Sequence, residues 1–229
     1  MLKKHLSHML ETFNFRVILE YMPLFLSCFL ATLWLSAAGL LGSLAIGTLA
    51  CGLRIGRSRL LAGAAYAYIE SIRSTPLLVQ LFFFYFGLPS LGLRMSEATT
   101  GILALTLNSG AYMAEILRAG IQSIPHGQVE AAVSSGLSYM QRMRYVILPQ
   151  AIGVTLPPML GQAIVLVKDS ALLSLISLPE LTRAGQIMTS ERFMPAEGFP
   201  TSAVFYLVIY YALKTLTNWS QRKLIYLQA

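Results

Sequence analysis

Charged and polar residues are scarce in this chain, so each one set inside an apolar run is a candidate for chemistry. Lys168, Asp169 and Ser170 stand at the end of one such run. A carboxylate can hold an ammonium group, and a hydroxyl with freed backbone N–H groups can hold a carboxylate. The trio therefore offers an anion and hydrogen-bond donors side by side. Asn108, Tyr112 and Glu115 recur at i, i+4 and i+7, which lays them along one helical face. Glu70 and Arg73 precede Thr75-Pro76, a pair that marks a break in a helix. Each group also has a plainer reading. Lys168 and Asp169 can pair locally to hold a kink, the stripe can be interhelical hydrogen-bond glue, and Glu70 with Arg73 can be an ion pair or snorkel to an interface.

A second set lies in a polar island, residues 119–149, and consists of Glu130-Ala131-Ala132, Gly136 and Leu148-Pro149. The pattern predicts a short helix over 128–133 with Glu130 in its first turn, where a carboxylate complements the helix dipole. Gly136 permits a sharp turn, and Ser138 can cap a second helix through Tyr145. Pro149 then marks re-entry into the membrane. Two short helices on the bilayer surface have the shape to fit a groove on a soluble partner.

The elements that must position these residues are membrane spans. The chain has 229 residues, 55% hydrophobic and only 12% charged, with mean hydropathy +0.63. A soluble domain carries about twice that charged fraction. Five apolar spans are expected, at about 24–53, 60–86, 98–117, 150–166 and 203–216. The first carries small residues at four-residue spacing, Gly39, Ser43, Gly47 and Cys51, a stripe for close helix packing. Pro149, Pro157 and Pro158 predict that the fourth is broken, with residues 172–178 as a half-length run behind it. Irregular backbone at membrane depth survives where it lines protein or a water-filled path. The reading divides the chain into an extracytoplasmic segment (1–23), a membrane domain (24–217) and a cytoplasmic tail (218–229). The apolar run after Lys3 and Lys4 is too long for a cleaved signal and reads as a retained anchor.

Loop charge sets the orientation. Arg54, Arg57 and Arg59, then Arg118, Arg142 and Arg144, then Arg222 and Lys223 fall on one side, which the positive-inside bias makes cytoplasmic. The N-terminus is then outside and the C-terminus inside, despite Lys3, Lys4 and Arg16. The net charge of +7 is this loop excess, and no basic stripe with interleaved aromatics argues for nucleic acid. Cys28 and Cys51 are about 35 Å apart on one helix, too far for a disulfide. His5, His8 and His126 are isolated, and no Cys/His cluster has metal-site spacing.

Glu130-Ala131-Ala132-xxx-Gly136, nine residues, then Val146-x-Leu148-Pro149 resembles the EAA loop of ATP-binding-cassette (ABC) importer permeases. The family usually has Ile at Val146. Three further stretches resemble its polar amino-acid branch: Arg73-Ser74-Thr75-Pro76-Leu77-Leu78-Val79-Gln80, with Ser74 where Gly is usual; Ala111 to Arg118 followed by Ile124-Pro125-His126-Gly127-Gln128; and Lys168-Asp169-Ser170-Ala171-Leu172. The resemblance runs over about 24–216.

This resemblance implies an all-α membrane protein with the type I importer permease fold. It implies two permease subunits, identical or sister chains, forming the path, and two ABC ATPase subunits docked on the EAA loops. It also implies a periplasmic or lipid-anchored amino-acid-binding protein and a bacterial inner-membrane location. Glu130, Ala131, Ala132, Gly136, Leu148 and Pro149 would then couple to the ATPase. Asn108, Tyr112, Glu115, Lys168, Asp169 and Ser170 would line the substrate path. The chain has no phosphate-binding loop of its own. Gly52 to Ser58 is one residue short of that spacing and has Arg57 for the lysine. ATP and Mg are therefore expected on the partner, with no cofactor or metal on this chain. The rival readings are a stand-alone secondary transporter or channel, which usually shows more spans or an internal repeat, and a non-transporting scaffold.

Overall fold

The computed structural model describes residues 13–228, with side chains as far as Gln221. Lys3, Lys4, His5 and His8, and with them most of the expected N-terminal segment, lie outside the described residues. Among those described, the protein is a bundle of helices: α1 (Phe15–Ile55), α2 (Arg59–Arg73), α3 (Leu77–Ser90), α4 (Glu97–Gln122), α5 (His126–Ser134), α6 (Tyr139–Ile176), α7 (Leu181–Arg192) and α8 (Pro195–Gln228).

Three of them, α1, α6 and α8, are long and apolar enough to cross a membrane. The second expected span is two helices, α2 and α3, parted at Thr75-Pro76. The third lies within α4, which has the length at 26 residues but a more polar composition. Helix α1 begins at Phe15, where Asn14 accepts from the N–H groups of Arg16 and Val17, so the helix takes in residues 15–23. Helix α8 likewise runs past residue 218 to Gln228.

Helices α1 and α4 pack closely along their length. The predicted stripe does this, for Gly39, Ser43, Gly47 and Cys51 are all buried. A Cβ on Gly47 would stand 2.6 Å from Cβ of Met113 and 3.0 Å from the Gly110 carbonyl. Without water to drive apolar association, such close backbone approach is what holds helices together in lipid. Helix α6 crosses the other end of α4 as closely, because a Cβ on Gly120 would meet Cγ2 of Thr155 at 2.0 Å. Leu35, Leu81, Leu105, Leu166 and Leu173 close the core between α1, α3, α4 and α6.

The fourth span is not broken. Helix α6 carries Pro157 and Pro158 inside continuous α-helix from Leu148 to Asp169, then tightens to a 3₁₀ turn over Ser170–Ile176. In a bundle, neighbouring elements absorb the missing N–H groups, so proline does not oblige a transmembrane helix to end. The half-length run expected at 172–178 is instead largely the 3₁₀ turn that ends the same helix.

Beyond α6, Glu180 caps α7. It is fully buried; its Oε1 accepts from the Arg183 N–H at 2.8 Å and its Oε2 from the Tyr206 hydroxyl at 2.5 Å. Burial pushes the Glu180 carboxyl above its ordinary range, and those hydrogen bonds oppose the shift. Helix α7 packs Ala184 and Met188 on Phe25 and Cys28 of α1. Tyr21 donates to Glu191 at 2.6 Å, and Arg192 pairs with Glu20, fastening both ends of the contact.

Candidate substrate cavity and coupling surface

The break between α2 and α3 is built by one buried amide. Proline at 76 stops α2, and Thr75 Oγ1 folds back to donate to the Ser71 carbonyl at 3.0 Å. Carbonyls at the end of α2 would otherwise lack partners. Nε2 of Gln80, one turn into α3, donates to the Ile72 carbonyl at 2.8 Å, the Thr75 carbonyl at 3.0 Å and Thr75 Oγ1 at 2.8 Å. Its Oε1 accepts from Nδ2 of Asn108 on α4 at 3.2 Å. Gln80 thus ties the break to the polar stripe of α4.

A cavity of about 600 Å³ opens at this break. Arg73, Ser74, Thr75, Pro76 and Leu77 form one wall, Asn108 and Tyr112 another, and Gln162, Val165 and Asp169 of α6 the third. That volume falls within the roughly 300–1,000 Å³ span of small-molecule sites. The Arg73 guanidinium stands 5.3 Å from the Tyr112 ring centroid and 3.9 Å from Glu115 Oε2. Gln162 Nε2 donates to Ser109 Oγ at 3.1 Å, fixing the α6 wall to α4. The cavity therefore offers one cation, one carboxylate, amides and a phenol. Two helix ends meet there, the C-terminus of α2 and the start of α3, an arrangement suited to ligands that carry charge.

Of the six path residues expected from sequence, Asn108, Tyr112 and Asp169 line the cavity. Glu115 turns to the arginines instead. Its carboxylate receives Arg118 in a fork, at 2.9 Å from Nε and 2.7 Å from Nη2. Lys168 is exposed, and Ser170 is buried with its hydroxyl donating to the Val167 carbonyl at 2.8 Å. Gln80 and Gln162 are the residues that sequence reasoning missed. Gln80 closes the Arg73–Gln80 stretch already singled out, whereas nothing local marks Gln162.

The other predicted set folds as two helical pieces with a different junction. Helix α5 starts at His126, so Glu130 is past the first turn, and it stands exposed. Ala131 is exposed and Ala132 is buried. Gly136 has φ +76°; its N–H reaches the Val133 carbonyl and that of Leu137 reaches Ala132, a left-handed helix stop that favours glycine. Ser138 caps the next piece in a capping box with Gln141. That piece does not end at Tyr145 but runs without interruption into α6, through a π-helical turn at Met143–Ile147 that ends at Leu148-Pro149. Val133, Met140 and Tyr145 leave half or more of their area exposed, an apolar surface beside Glu130.

Residues 43–225 match the family of binding-protein-dependent transport system inner membrane components. The chain belongs to that family. Among curated relatives, this inner membrane component is 37% identical to a probable glutamine ABC transporter permease protein of Bacillus subtilis (strain 168), over 92% of this chain and 98% of the relative. It is 39% identical to the glutamine transport system permease protein of Escherichia coli (strain K12), over 93% and 98%. Its fold matches a chain from the crystal structure of an amino acid ABC transporter with histidines with TM-score 0.88 and 38% identity, over 92% and 98%. A chain of the inward-facing MetNI methionine ABC transporter matches in fold, with TM-score 0.71 and 23% identity over 89% and 97%.

Proposed function

We propose that this chain is the translocation subunit of an ATP-driven importer of polar amino acids, and that the amino acid passes through the cavity at the α2–α3 break. The carrying observation is the pairing of opposite charges across that cavity, Arg73 on one wall and Asp169 on another. A zwitterion needs a cation for its carboxylate and an anion for its ammonium group. The amides of Asn108 and Gln162 offer hydrogen bonds to a neutral polar side chain, which agrees with glutamine as the solute in the relatives' names.

The coupling surface is the α5–α6 segment. Glu130 supplies a polar contact to an ABC ATPase, Ala131 and Ala132 permit close approach, Gly136 sets the turn, and Leu148-Pro149 join the segment to α6. ATP and Mg reside on the ATPase, in two copies beneath two permease subunits, and a binding protein delivers the solute from outside. Five crossings result if α2 with α3, and α4, count beside α1, α6 and α8. The N-terminus then lies outside and the C-terminus inside, with the arginine-rich loops cytoplasmic.

The test is uptake in proteoliposomes holding the chain with its ATPase, second permease subunit and binding protein. Glutamine accumulation that requires ATP, and that Asp169→Asn slows by raising the half-saturating concentration, is expected. Uptake without ATP would select the secondary-transporter reading instead.

A further inference from the structure

Two turns of this bundle depart from α-helix in the same way. Phe83–Gly87 in α3 and Met143–Ile147 in α6 are π-helical. Both are followed at once by a Leu-Pro pair, Leu88-Pro89 and Leu148-Pro149, and both have tyrosine at the third place, Tyr85 and Tyr145. In each, the leucine N–H donates five residues back, from Leu88 to the Phe83 carbonyl and from Leu148 to the Met143 carbonyl. The cause is local. A proline within a helix has no N–H for the carbonyl four residues earlier, and its ring collides with that carbonyl. Those carbonyls belong to Tyr85 and Tyr145. Widening the preceding turn to π relieves the collision. Neither proline nor a leucine before it is enough by itself, because Pro23, Pro157 (after Leu156), Pro158 and Pro200 sit inside ordinary α-helix; the two π-turns share in addition a tyrosine four residues before the proline.

The two turns bracket the cavity. Helix α3 leaves the cavity at Leu77 and reaches its turn toward the Glu97 end of α4. Helix α6 passes its turn near the Gln122 end of α4 before reaching the cavity at Gln162. Single π-turns in long helices are frequent at functional sites and are points of bending. We infer that Pro89 and Pro149 are positioning residues that create two hinges, one on each side of the cavity, and that transport bends the bundle at both. The inference rests on the importer reading above, which gives the motion its purpose.

The assembled complex in nanodiscs tests it, with spin-label pairs on Val79 and Leu91 across the first turn and on Met140 and Ile152 across the second, after replacement of Cys28 and Cys51. Pro89→Ala and Pro149→Ala restore an N–H and let each turn wind as α-helix. Expected are ATP-dependent distance changes across both turns in the unmodified complex, lost at the repaired turn in each variant. The ATP hydrolysed per amino acid imported should rise in each variant. A merely structural role would lower hydrolysis and import together and leave that ratio unchanged. Pro158→Ala, which repairs no π-turn, should change neither reading. Unaltered distances and an unaltered ratio in both variants would overturn the hinges. If the unmodified complex imports nothing, the importer reading fails by itself. The hinges are then judged on distance distributions, which must be broader in the unmodified complex than in the variants.

Discussion

Asn108 and Gln80 share a buried hydrogen bond, 3.2 Å from Nδ2 to Oε1, that ties the middle of α4 to the mouth of the α2–α3 break. Both residues are more than nine-tenths buried. The contact makes the cavity wall and the helix break one unit, so that moving one moves the other.

Gln80→Leu should therefore do more than remove a polar group. It removes the Gln80 donor from the Thr75 carbonyl and Oγ1, leaves the Ile72 carbonyl to Thr75 alone, and strands Nδ2 of the buried Asn108, and a buried polar group left unpaired costs about 1–3 kcal/mol. The expected outcome is a lower thermal midpoint in detergent and weaker substrate uptake. Gln80→Glu retains the acceptor for Asn108 but loses the donors, and should fall on the same side.

Gly47→Val places branched carbon where Met113 and the Gly110 carbonyl already stand. Overpacking of this kind costs about 1–3 kcal/mol. The α1–α4 pair should loosen, read as reduced membrane yield and a lower midpoint. Gly63→Ala, with nothing within 4 Å of the added carbon, should leave both unchanged.

Arg73 and Asp169 should separate by substrate group. Arg73→Gln should weaken uptake of amino acids and leave their decarboxylated amines unaffected as competitors. Asp169→Asn should do the reverse for analogues lacking the amino group. Competition assays with both analogue types give the answer; identical losses for all ligands would place neither residue on the solute.

Glu130→Ala should insert and assemble yet lose stimulation of ATP hydrolysis by the loaded binding protein. The residue is exposed on α5, so surface substitution itself is worth within about 0.5 kcal/mol of stability. Normal stimulated hydrolysis and uptake would remove it from the coupling surface.

Glu180 carries a pH signature. Its folded carboxyl is raised above the ordinary range, so the folded state holds the proton more tightly than the unfolded state. Its contribution is then greatest at low pH and declines as pH rises from the ordinary carboxylate range through the raised value. A fall in thermal midpoint over that window, absent in Glu180→Gln, is the expected result.

Much of this arrangement is legible in the residues alone. The Gly39 to Cys51 stripe names the face of α1 that α4 covers, because small side chains at four-residue spacing have one packing use in lipid. Gly136 and Ser138 announce the stop of α5 and the restart at α6. The position of the broken helix is harder. Prolines 157 and 158 read as a break and make none, whereas Thr75-Pro76 makes one because Gln80 satisfies the carbonyls it frees. That compensation comes from a side chain in the next helix, and no local pattern records it. The spacing puts Glu115 on one face with Asn108 and Tyr112, but whether a carboxylate faces a cavity or an arginine depends on Arg118 and Arg73 meeting it in three dimensions.

The length of α1 has a bearing on where this protein can live. Its 41 residues span about 60 Å, twice the hydrocarbon core of a bilayer. A helix that overshoots by so much cannot register membrane thickness through its own ends. Its N-terminal turns are tied to α7, at Tyr21 with Glu191 and Glu20 with Arg192. Helices α6 and α8, at 38 and 34 residues, overshoot as well. Lipids of longer or shorter chain should thus alter the tilt of the long helices together and leave the contacts of Tyr21 with Glu191 and Glu20 with Arg192 in place.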